Sequence, residues 1–383
     1  MKILQTITTL NKSWGGPSSC TYELVKELNR QLINTDILSI DAQIKDDRIG
    51  NDDFIKYVPC DFKTPLFISK SYGKYIKENI NKYDVVHANT IWLWTTHQAC
   101  KYAKKNNKPL IVSTHGMLYP EALKVSAWKK KIITPLFLRH DLRNADVIHA
   151  TSEQEAEYIR NFGLSNPIAI IPNGLPEIYD SRTVIKDTRE DEIYRFGFVG
   201  RLNRIKNIHF LLDAWKMLVH KYSNVELIIV GKDDEVYEHE LRQFVKMNSL
   251  NNVKFLGFLS GENLSNAINS LDCLILPSKS ENFGMVVVEA LIRQKVVIAS
   301  IGTPWHDLKT HGCGWWIEPN PAAIACAMEQ VVNTPKDILS KMGENGRNLV
   351  LNKFTIESVA QQFASVYRWL LQEQGKPECV NVI

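Results

Sequence analysis

The sequence predicts an α/β protein with two doubly wound domains. A chain of 383 residues is too long for one compact core and suits two domains of ordinary size. Short apolar runs alternate with longer helical patterns from end to end, which is typical of parallel sheets covered by helices on both faces. The strand candidates are too numerous for one sheet of normal width, so we expect two sheets.

Each predicted element rests on a local pattern. Apolar runs predict strands in the first half over residues 2–8, 36–40, 84–88, 109–114, 147–151 and 168–171. Similar runs predict strands in the second half over residues 195–199, 225–230, 253–256, 273–276, 296–299 and 315–317. Helical periodicity between them predicts helices that include 21–32, 98–105, 152–160 and 207–220. Because open α/β sheets bind ligands at the carboxyl ends of their strands, we expect the two domains to face a central cleft.

The expected domain boundary lies near the middle of the chain. Pro172-Asn173-Gly174 is a turn signal, and a polar run follows it. We therefore expect a first domain over 1–178, a linker over 179–192 and a second domain over 193–355. Residues 356–372 have a helical pattern and are expected, with the tail to 383, to pack back toward the first domain. Within that tail, residues 375–383 are expected to be frayed.

Composition excludes several classes of protein. A hydrophobic content of 44%, with 23% charged residues, belongs to a soluble globular protein, and a net charge of +4 does not indicate nucleic-acid binding. The seven cysteines are scattered and form no Cys-x-x-Cys pair, so neither a disulfide framework nor a zinc cluster is expected. The amino terminus has no signal-peptide pattern, and no apolar run approaches the ~20 residues of a membrane span. We therefore expect a reduced, cytoplasmic protein.

The most specific motif is the run from Ser280 to Ala290. A buried strand ends in a turn, Gly284 allows a tight bend, and a helix is expected to begin near Met285. Glu281 lies on the loop and Glu289 lies in the helix, on either side of a helix N-terminus that can receive an anion. Two carboxylates around an anion site suit a ligand with hydroxyls at both ends of a phosphate, such as a nucleotide-sugar. The alternative is a capping carboxylate and a glutamate on an ordinary helix face.

A second motif supplies cations. Gly200-Arg201-Leu202 follows a predicted strand, and Lys206 comes five residues after Arg201. A forked guanidinium and a compact ammonium can together grip a diphosphate and stabilise the charge that develops as a glycosidic bond breaks. The alternative is a set of solvated surface cations, of which Arg204 is expected to be one.

The first half contains two weaker candidates. Gly15-Gly16 lies between the first strand and a helix, where small residues allow a phosphate to approach the backbone. His115-Gly116 ends the strand over 109–114, and a neutral imidazole there could position a hydroxyl. An isolated histidine is more often structural, and His87 and His149 are interpreted as structural residues.

Residues 118–141 combine a tryptophan, three consecutive lysines and apolar residues. Such a basic amphipathic stretch can lie on an anionic membrane surface, although a packed helix with a solvated lysine face is an equal alternative. If this segment docks, the protein would work at the inner face of the cell membrane.

Together these motifs resemble glycosyltransferase family 4, retaining enzymes of GT-B fold with two Rossmann-like domains. The family's Glu-x7-Glu motif is matched by Glu281 and Glu289, and its Gly-Arg-Leu…Lys motif by Gly200, Arg201, Leu202 and Lys206. The resemblance implies that Glu281 contacts the donor sugar, Glu289 the ribose, and the two cations the diphosphate. It also assigns acceptor binding to the first domain, nucleotide-sugar binding to the second, and the base contact to the main chain around Phe258.

The expected site follows from this resemblance. The catalytic residues are expected to be His115, Arg201, Lys206 and Glu281. The donor-binding residues are expected to be Gly16, Gly200, Arg201, Lys206, Phe258, Glu281, Asn282, Phe283, Gly284, Met285 and Glu289. One departure concerns residues 302–307, which read Gly-Thr-Pro-Trp-His-Asp where many members have Gly-Gly followed by Pro-Glu. Because that loop is expected to face the donor, the donor's identity stays open.

The expected reaction is transfer of a sugar, of hexosyl type, from a nucleoside-diphosphate sugar to an acceptor hydroxyl with retention of configuration. The acceptor would be a glycan or a lipid-linked glycan, and the pathway bacterial surface polysaccharide synthesis (O-antigen, capsule or exopolysaccharide). No metal or other cofactor is expected, since no Asp-x-Asp triplet or metal-ligand cluster occurs in the sequence. The alternatives are a GT-B-fold epimerase or phosphorylase, and a non-catalytic nucleotide-sugar-binding protein.

Overall fold

The computed structural model describes residues 1–41, 48–62, 64, 66–176 and 192–382. The chain divides into two compact units, the first formed by Met1–Pro176 with Ile356–Ile383 and the second by Glu177–Thr355. The expected linker over 179–192 lies outside the described residues except for Glu192.

Among its described residues, the first unit contains one eight-stranded sheet. Its strands are β1 (Lys2–Thr6), β2 (Asn34–Asp41), β3 (Ile55–Pro59), β4 (Val85–Asn89), β5 (Leu110–Ser113), β6 (Val147–Ala150), β7 (Ile168–Ile170) and, last in the chain, β14 (Val380–Asn381). The strand order is β14-β7-β6-β5-β4-β1-β2-β3, and every neighbouring pair is parallel except β14 with β7. All six strands predicted in this half are present.

Helices cover both faces of this sheet. They are α1 (Gly16–Arg30), α2 (Lys70–Asn79), α3 (Trp94–Lys105), α4 (Pro120–Lys124), α5 (Ala127–Ile133), α6 (Arg139–Arg143), α7 (Glu153–Asn161) and, near the end of the chain, α15 (Ile356–Leu370). A π-helical turn, Thr134–Leu138, joins α5 to α6. Side chains alternate across β1, so that Leu4 packs in one core and Ile3 in another. The second core is completed by buried residues of α15, including Phe363 and Tyr367.

Two expectations about this unit were wrong or incomplete. The tail over 375–383 was expected to be frayed, but Val380 is buried and pairs with Ala169 at the edge of the sheet. An apolar side chain and an unpaired strand edge explain the docking. Strand β3 was missed because it is short and ends in Pro59, which an edge strand tolerates.

The second unit contains a six-stranded parallel sheet among its described residues. Its strands are β8 (Tyr194–Val199), β9 (Val225–Val230), β10 (Val253–Gly257), β11 (Cys273–Leu276), β12 (Val296–Ser300) and β13 (Gly314–Ile317). All six match predicted strands to within about one residue. The order is β10-β9-β8-β11-β12-β13, so the direction of winding reverses between β8 and β11. Ligands of doubly wound sheets bind at such a switch point, at the carboxyl ends of the strands.

Seven described helices surround this second sheet. They are α8 (Ile208–Val219), α9 (Glu235–Met247), α10 (Gly261–Asn269), α11 (Met285–Ile292), α12 (Asp307–Thr310), α13 (Pro321–Asn333) and α14 (Lys336–Lys353). The core is built from the apolar strands and from α8 and α13, whose buried members include Trp215 and Met328. This packing fixes the loops after β8 and β11 side by side, and both candidate motifs of the second half lie on those loops.

Candidate functional site

The loops after β8 and β11 are joined by direct hydrogen bonds. The backbone N–H of Lys279 donates to the carbonyl of Ile205 at 2.8 Å, and the side-chain amide of Asn207 donates to the carbonyl of Pro277 at 3.0 Å. Asn207 is buried and has a positive φ of 52°, a conformation that asparagine tolerates better than most residues. These contacts place the Lys206 turn against the start of the Glu281 loop.

Lys206 and Glu281 meet at this junction. The Lys206 ammonium donates to one carboxylate oxygen of Glu281, and only 12% and 18% of the two side chains are exposed. The Ser278 hydroxyl donates to the same oxygen at 3.4 Å. Lys206, which is expected to bind the diphosphate, is therefore paired with Glu281, which is expected to bind the sugar. The structure brings together two residues that are 75 positions apart in the sequence.

Gly284 forms the junction between this loop and helix α11. Its φ of 80° and ψ of 64° lie in the left-handed region, and α11 begins at the next residue, as the motif predicted. The N-cap residue is this glycine, so it supplies no side-chain cap to the helix. Its first-turn N–H groups carry the positive end of the helix dipole, which favours an anion. Glu289 lies one turn further along the helix and is half-buried.

Residues 302–307, the departure from the family pattern, support the Glu281 loop from behind. The Trp305 indole N–H donates to the carbonyl of Phe283, and its buried ring lies 5.3 Å from the Phe283 ring. The Glu281 backbone N–H donates to the Gly302 carbonyl at 3.1 Å. A Cβ at Gly302 would collide with the carbonyl of Lys279, so this close approach requires glycine. The expectation that this loop faces the donor does not apply to the Trp305 side chain, because burial turns it inward.

Sequence reasoning missed Trp305 as a supporting residue. Its only signal is a large aromatic residue, directly after a proline, in a loop that follows a predicted strand. That signal cannot reveal which carbonyl the indole reaches.

The remaining residues of the second unit are more exposed. Arg201 lies on the same loop as Lys206, but its side chain is 74% exposed and its nearest carboxylate is Asp233, at 3.9 Å. Phe258 follows β10 and presents an exposed ring. Arg204 pairs with Glu240 at 2.7 Å and is mostly exposed, which agrees with its interpretation as a solvated surface cation. The structure thus joins Lys206 to Glu281 and leaves Arg201 outside that pair.

In the first unit, His115 lies on the loop after β5 in a strained conformation. Its φ is 47°, and Gly116 follows with a φ of 74°. The buried carboxylate of Glu155 holds this loop by accepting from the Thr114 hydroxyl at 2.6 Å and from the Gly116 N–H. The same carboxylate accepts from the backbone and the hydroxyl of Thr151 at 2.7 and 2.8 Å, so it ties the loop after β5 to the loop after β6.

Glu155 was also missed from the sequence. Ser152 and Glu155 form a Ser-x-x-Glu pattern at the start of α7, which predicts a capping box. The Ser152 hydroxyl does accept from the Glu155 N–H at 3.2 Å. The Glu155 carboxylate, however, reaches the neighbouring loop, and local sequence does not encode that contact.

His115 is half-buried and hydrogen-bonded through Nε2 to the Asn89 side-chain oxygen at 3.0 Å. Burial, together with the nearby His149 ring, lowers the pKa of His115 to about 3. His115 is therefore neutral at physiological pH. His87 and His149 are fully enclosed in the sheet, in keeping with their structural interpretation.

Gly16 is the first residue of α1, and Gly15 before it has a φ of 81°. A Cβ added to either glycine would meet nothing within 4 Å, so the space over this helix N-terminus is open. The exposed Trp14 ring packs edge-on against Phe67 at 5.0 Å beside it.

The segment 118–141 forms α4, α5, the π-helical turn and the start of α6. The side chains of Trp128, Ile132 and Leu136 are 66%, 57% and 71% exposed and are spaced four residues apart. This spacing places them on one helical face. Exposed Lys129 and Arg139 lie beside them.

Two searches of the described residues complete the site. None of their helices is long and apolar enough to cross a membrane. No group of three or more His, Cys, Asp or Glu side chains among them is arranged to hold a metal ion.

Comparison with known proteins places the chain in a family. Residues 14–177 match the profile described as Glycosyltransferase Family 4, and residues 181–349 match that of Glycosyl transferases group 1. An uncharacterized glycosyltransferase of Methanocaldococcus jannaschii is 25% identical over 78% of each chain. The capsular polysaccharide biosynthesis glycosyltransferase CapM of Staphylococcus aureus is 28% identical over 47% of each chain.

A solved structure shares the fold. HepE of Anabaena, crystallised with UDP and glucose, superposes with a TM-score of 0.73 at 20% identity, covering 96% of this chain and 99% of HepE. The matches span both sequence halves, and both units are parallel-sheet, Rossmann-like domains. The chain therefore belongs to glycosyltransferase family 4, the group 1 glycosyl transferases of GT-B fold, whose members include enzymes of polysaccharide biosynthesis.

Proposed function

We propose that this transferase moves a sugar from a nucleoside-diphosphate sugar to an acceptor hydroxyl with retention of anomeric configuration. The observation that supports this most is the Lys206–Glu281 pair, held at a topological switch point beside the N-terminus of α11. A cation, a helix dipole and a carboxylate at one place suit a diphosphate that is linked to a hydroxyl-bearing sugar. The UDP and glucose bound to the related fold of HepE agree with that ligand class.

The proposed roles follow from charge. Lys206 and the α11 N–H groups bind the diphosphate, and the exposed Arg201 closes onto it when the donor arrives. Glu281 accepts hydrogen bonds from hydroxyls of the donor sugar, and Glu289 from those of the ribose. The backbone of Asn282, Phe283 and Met285 lines the donor, and the main chain near Phe258 binds the base.

The proposed step needs no protein nucleophile. The bond from the anomeric carbon to the phosphate oxygen breaks, and the acceptor oxygen attacks from the same face. The acceptor proton passes to the departing diphosphate oxygen, which Lys206 stabilises as its charge grows. Because the Glu281 carboxylate is engaged by Lys206 and Ser278, it is suited to binding hydroxyls and not to attack. We also propose that no metal ion takes part, so activity is expected to survive EDTA.

The transfer proposal is tested by purified Lys206→Ala and Glu281→Gln proteins, with Arg204→Ala as the matched surface control. A panel of nucleotide-sugars is first screened by thermal shift, since a ligand that binds only the folded state raises the melting temperature. With the donor so identified, both site variants are expected to lose at least about 100-fold in turnover, and the control less than about twofold. Near-normal transfer by both site variants, or an epimerised nucleotide-sugar without transfer, would overturn the proposal.

We further propose that the acceptor is a lipid-linked glycan of surface polysaccharide synthesis. The name of CapM supports the pathway. The face formed by Trp128, Ile132 and Leu136, rimmed by Lys129 and Arg139, supports contact with an anionic bilayer. Apolar side chains can enter the headgroup region while each neighbouring cation contributes about 1 kcal/mol near an anionic surface.

Vesicle flotation tests this contact. We expect the protein to float with vesicles that contain phosphatidylglycerol and not with phosphatidylcholine alone. Trp128→Glu is expected to weaken binding about tenfold or more, because a charge replaces the aromatic ring proposed to enter the headgroup region. Val236→Glu, at an equally exposed apolar residue of the second unit, is the control. Equal binding to both vesicle types, or equal loss in both variants, would contradict membrane docking.

A further inference from the structure

A continuous chain of buried hydrogen bonds crosses the first unit. It runs from His115 through a series of side chains in β1, β4, β5, β6 and α15 and ends on a backbone carbonyl after β7. In order, its members are His115, Asn89, Gln5, Tyr367, His87, Ser113, His149 and the carbonyl of Ile171. Each link is between 2.6 and 3.0 Å long.

The direction of this chain is fixed at its far end. His149 Nε2 lies 2.8 Å from the carbonyl of Ile171, which can only accept, so Nε2 carries the proton. Burial lowers the pKa of His149, so the ring is neutral and its Nδ1 is bare. The Ser113 hydroxyl, 2.7 Å from Nδ1, must then donate to it. Ser113 consequently accepts from His87 Nε2, also at 2.7 Å.

The middle of the chain follows by the same logic. Burial holds the pKa of His87 well below its usual range, so its Nδ1 is bare once Nε2 carries a proton. The Tyr367 hydroxyl donates to that Nδ1 at 2.9 Å. The Tyr367 oxygen, whose hydrogen points to His87, can only accept from Gln5 Nε2 at 2.9 Å, so the N–H side of the Gln5 amide faces it. The Gln5 side-chain oxygen therefore points the other way, toward Asn89.

The near end reaches the candidate site residue. The Asn89 amide N–H donates to Gln5 at 2.6 Å and to the carbonyl of Thr6 at 3.3 Å, which fixes the orientation of the amide. Its oxygen is thereby presented to His115 Nε2. Since an oxygen can only accept, His115 Nε2 must carry the proton.

We propose that this one-way chain holds His115 as its Nε2–H tautomer, with Asn89 as the positioning residue, and reserves Nδ1 to accept a hydrogen bond from a hydroxyl. Among the described residues, Nδ1 of His115 has no hydrogen-bond partner. His115 lines a small pocket with Thr21, whose buried hydroxyl also lacks a partner among those residues. That the hydroxyl belongs to a sugar or acceptor rests on the proposed function; the tautomer does not.

This assignment has a chemical consequence. A neutral ring with a bare Nδ1 accepts from a hydroxyl and repels a carboxylate or phosphate oxygen, which has no proton to offer. The opposite tautomer would present a donor and reverse that preference. The hydrogen-bond chain therefore selects the kind of group that can bind at His115, through residues that do not contact the ligand.

Nitrogen-15 NMR of the full chain with labelled histidine tests the tautomer without any substrate. Protonated and bare ring nitrogens give well-separated signals, and a His115→Gln spectrum assigns the ring. We expect a single neutral form at pH 7 with the proton on Nε2. A proton on Nδ1, or a doubly protonated ring, would overturn the inference.

Two variants test the positioning role. Asn89→Leu removes the acceptor and is expected to give a mixture of tautomers, with kcat lower by between about tenfold and about 100-fold and an unchanged KM for the donor. Tyr367→Phe is the matched control, because Gln5 can then donate to His87 directly across 2.9 Å and keep the chain intact. If Asn89→Leu leaves the wild-type tautomer in place, Asn89 is not the positioning residue.

The two proposals fail in different ways. Full activity in His115→Gln, with the expected tautomer in the wild-type protein, would show that His115 takes no part in sugar transfer and would leave the hydrogen-bond chain standing. An unexpected tautomer, together with an inactive His115→Gln protein, would overturn the role of the hydrogen-bond chain and leave the proposed function standing.

Discussion

Removing one partner of the Lys206–Glu281 pair is expected to reduce stability about as much as removing both. The two side chains are held between the loops after β8 and β11, with little exposure to water. Lys206→Met and Glu281→Gln each delete a charge while keeping most of the side-chain volume. Either change leaves the other charge enclosed without its counter-ion.

The magnitude follows from the burial of the pair. At an effective dielectric constant near 20, opposite charges about 4 Å apart attract by about 4 kcal/mol, and desolvation of the two ions offsets much of this. The pair is 12% and 18% exposed, so its burial is incomplete. We therefore expect each single variant to lose about 2–3 kcal/mol, the double variant about the same as one single, and the coupling energy to be about 1–3 kcal/mol.

Urea unfolding of the four proteins measures this coupling. The matched control is the cycle of Arg204→Met and Glu240→Gln, which removes a pair only 2.7 Å apart but 66% and 46% exposed. Arg204 lies in the same turn as Lys206, so the control shares its backbone. Its coupling is expected to be below about 1 kcal/mol, as for exposed pairs in general.

The same variants give a second readout, the affinity for a nucleoside diphosphate. Glu281→Gln frees the Lys206 ammonium and removes a negative charge near the phosphates, so affinity is expected to rise or stay unchanged. Lys206→Met is expected to weaken binding by about 1.5–3 kcal/mol, the contribution of a hydrogen bond to a charged group. The stability argument would be refuted if the losses in the free energy of unfolding of the two single variants added up to that of the double variant. A coupling energy equal to that of the Arg204–Glu240 control would refute it as well.

Three further predictions concern other parts of the structure. Trp305→Phe keeps a ring but leaves the Phe283 carbonyl without its indole donor, so the free energy of unfolding in urea should fall by about 1–3 kcal/mol. The control is Trp315→Phe, whose indole bonds an exposed Gln330 and whose free energy of unfolding should fall by under about 0.5 kcal/mol. Gly302→Ala forces a methyl group onto the carbonyl of Lys279 and should cost about 1–3 kcal/mol, whereas Gly375→Ala, with open space around it, should cost little. Burial keeps the pKa of His87 well below the ordinary 6.5, so below that pH the unfolded state binds more protons than the folded state. The free energy of unfolding should therefore fall on acidification, by about 2 kcal/mol for this residue at pH 5. Unfolding curves at pH 7 and pH 5, for the wild type and His87→Gln, measure the difference.

The strands of both sheets could be predicted because parallel strands are buried on both faces. Their sequences contain continuous apolar runs, as in Cys273–Leu276 and in residues 227–230 of β9, and such runs are visible without any tertiary information. Strand β3 and the β14 tail were less visible for the opposite reason. They lie at sheet edges, where a short segment with one or two buried side chains is held mainly by its neighbour's backbone.

The candidate site was predictable in its residue types but not in its contacts. Gly284 and the start of α11 follow from local rules for helix termini. The pairing of Lys206 with Glu281, and the exposure of Arg201, depend on how two loops from different strands meet. A local pattern cannot encode a partner 75 residues away.

The supporting residues show the same difference more sharply. Glu155 and Trp305 each hold a candidate loop by side-chain bonds to a backbone that is distant in sequence. Their local signals, a capping pattern and an aromatic residue after proline, point to ordinary structural roles. A role that depends on reach across the fold becomes visible only when the fold is known.

Both units hold their candidate loops ready before any ligand is bound. In the first, the Glu155 carboxylate and the Asn89 chain fix the strained backbone and the ring of His115. In the second, Trp305 and Gly302 fix the backbone around Glu281. Since these contacts are internal to each unit, a ligand does not have to order the loops when it binds, and their donors and acceptors are already oriented. The exposed Arg201 differs, because its side chain still has to be ordered; we therefore expect donor-induced change to be concentrated there.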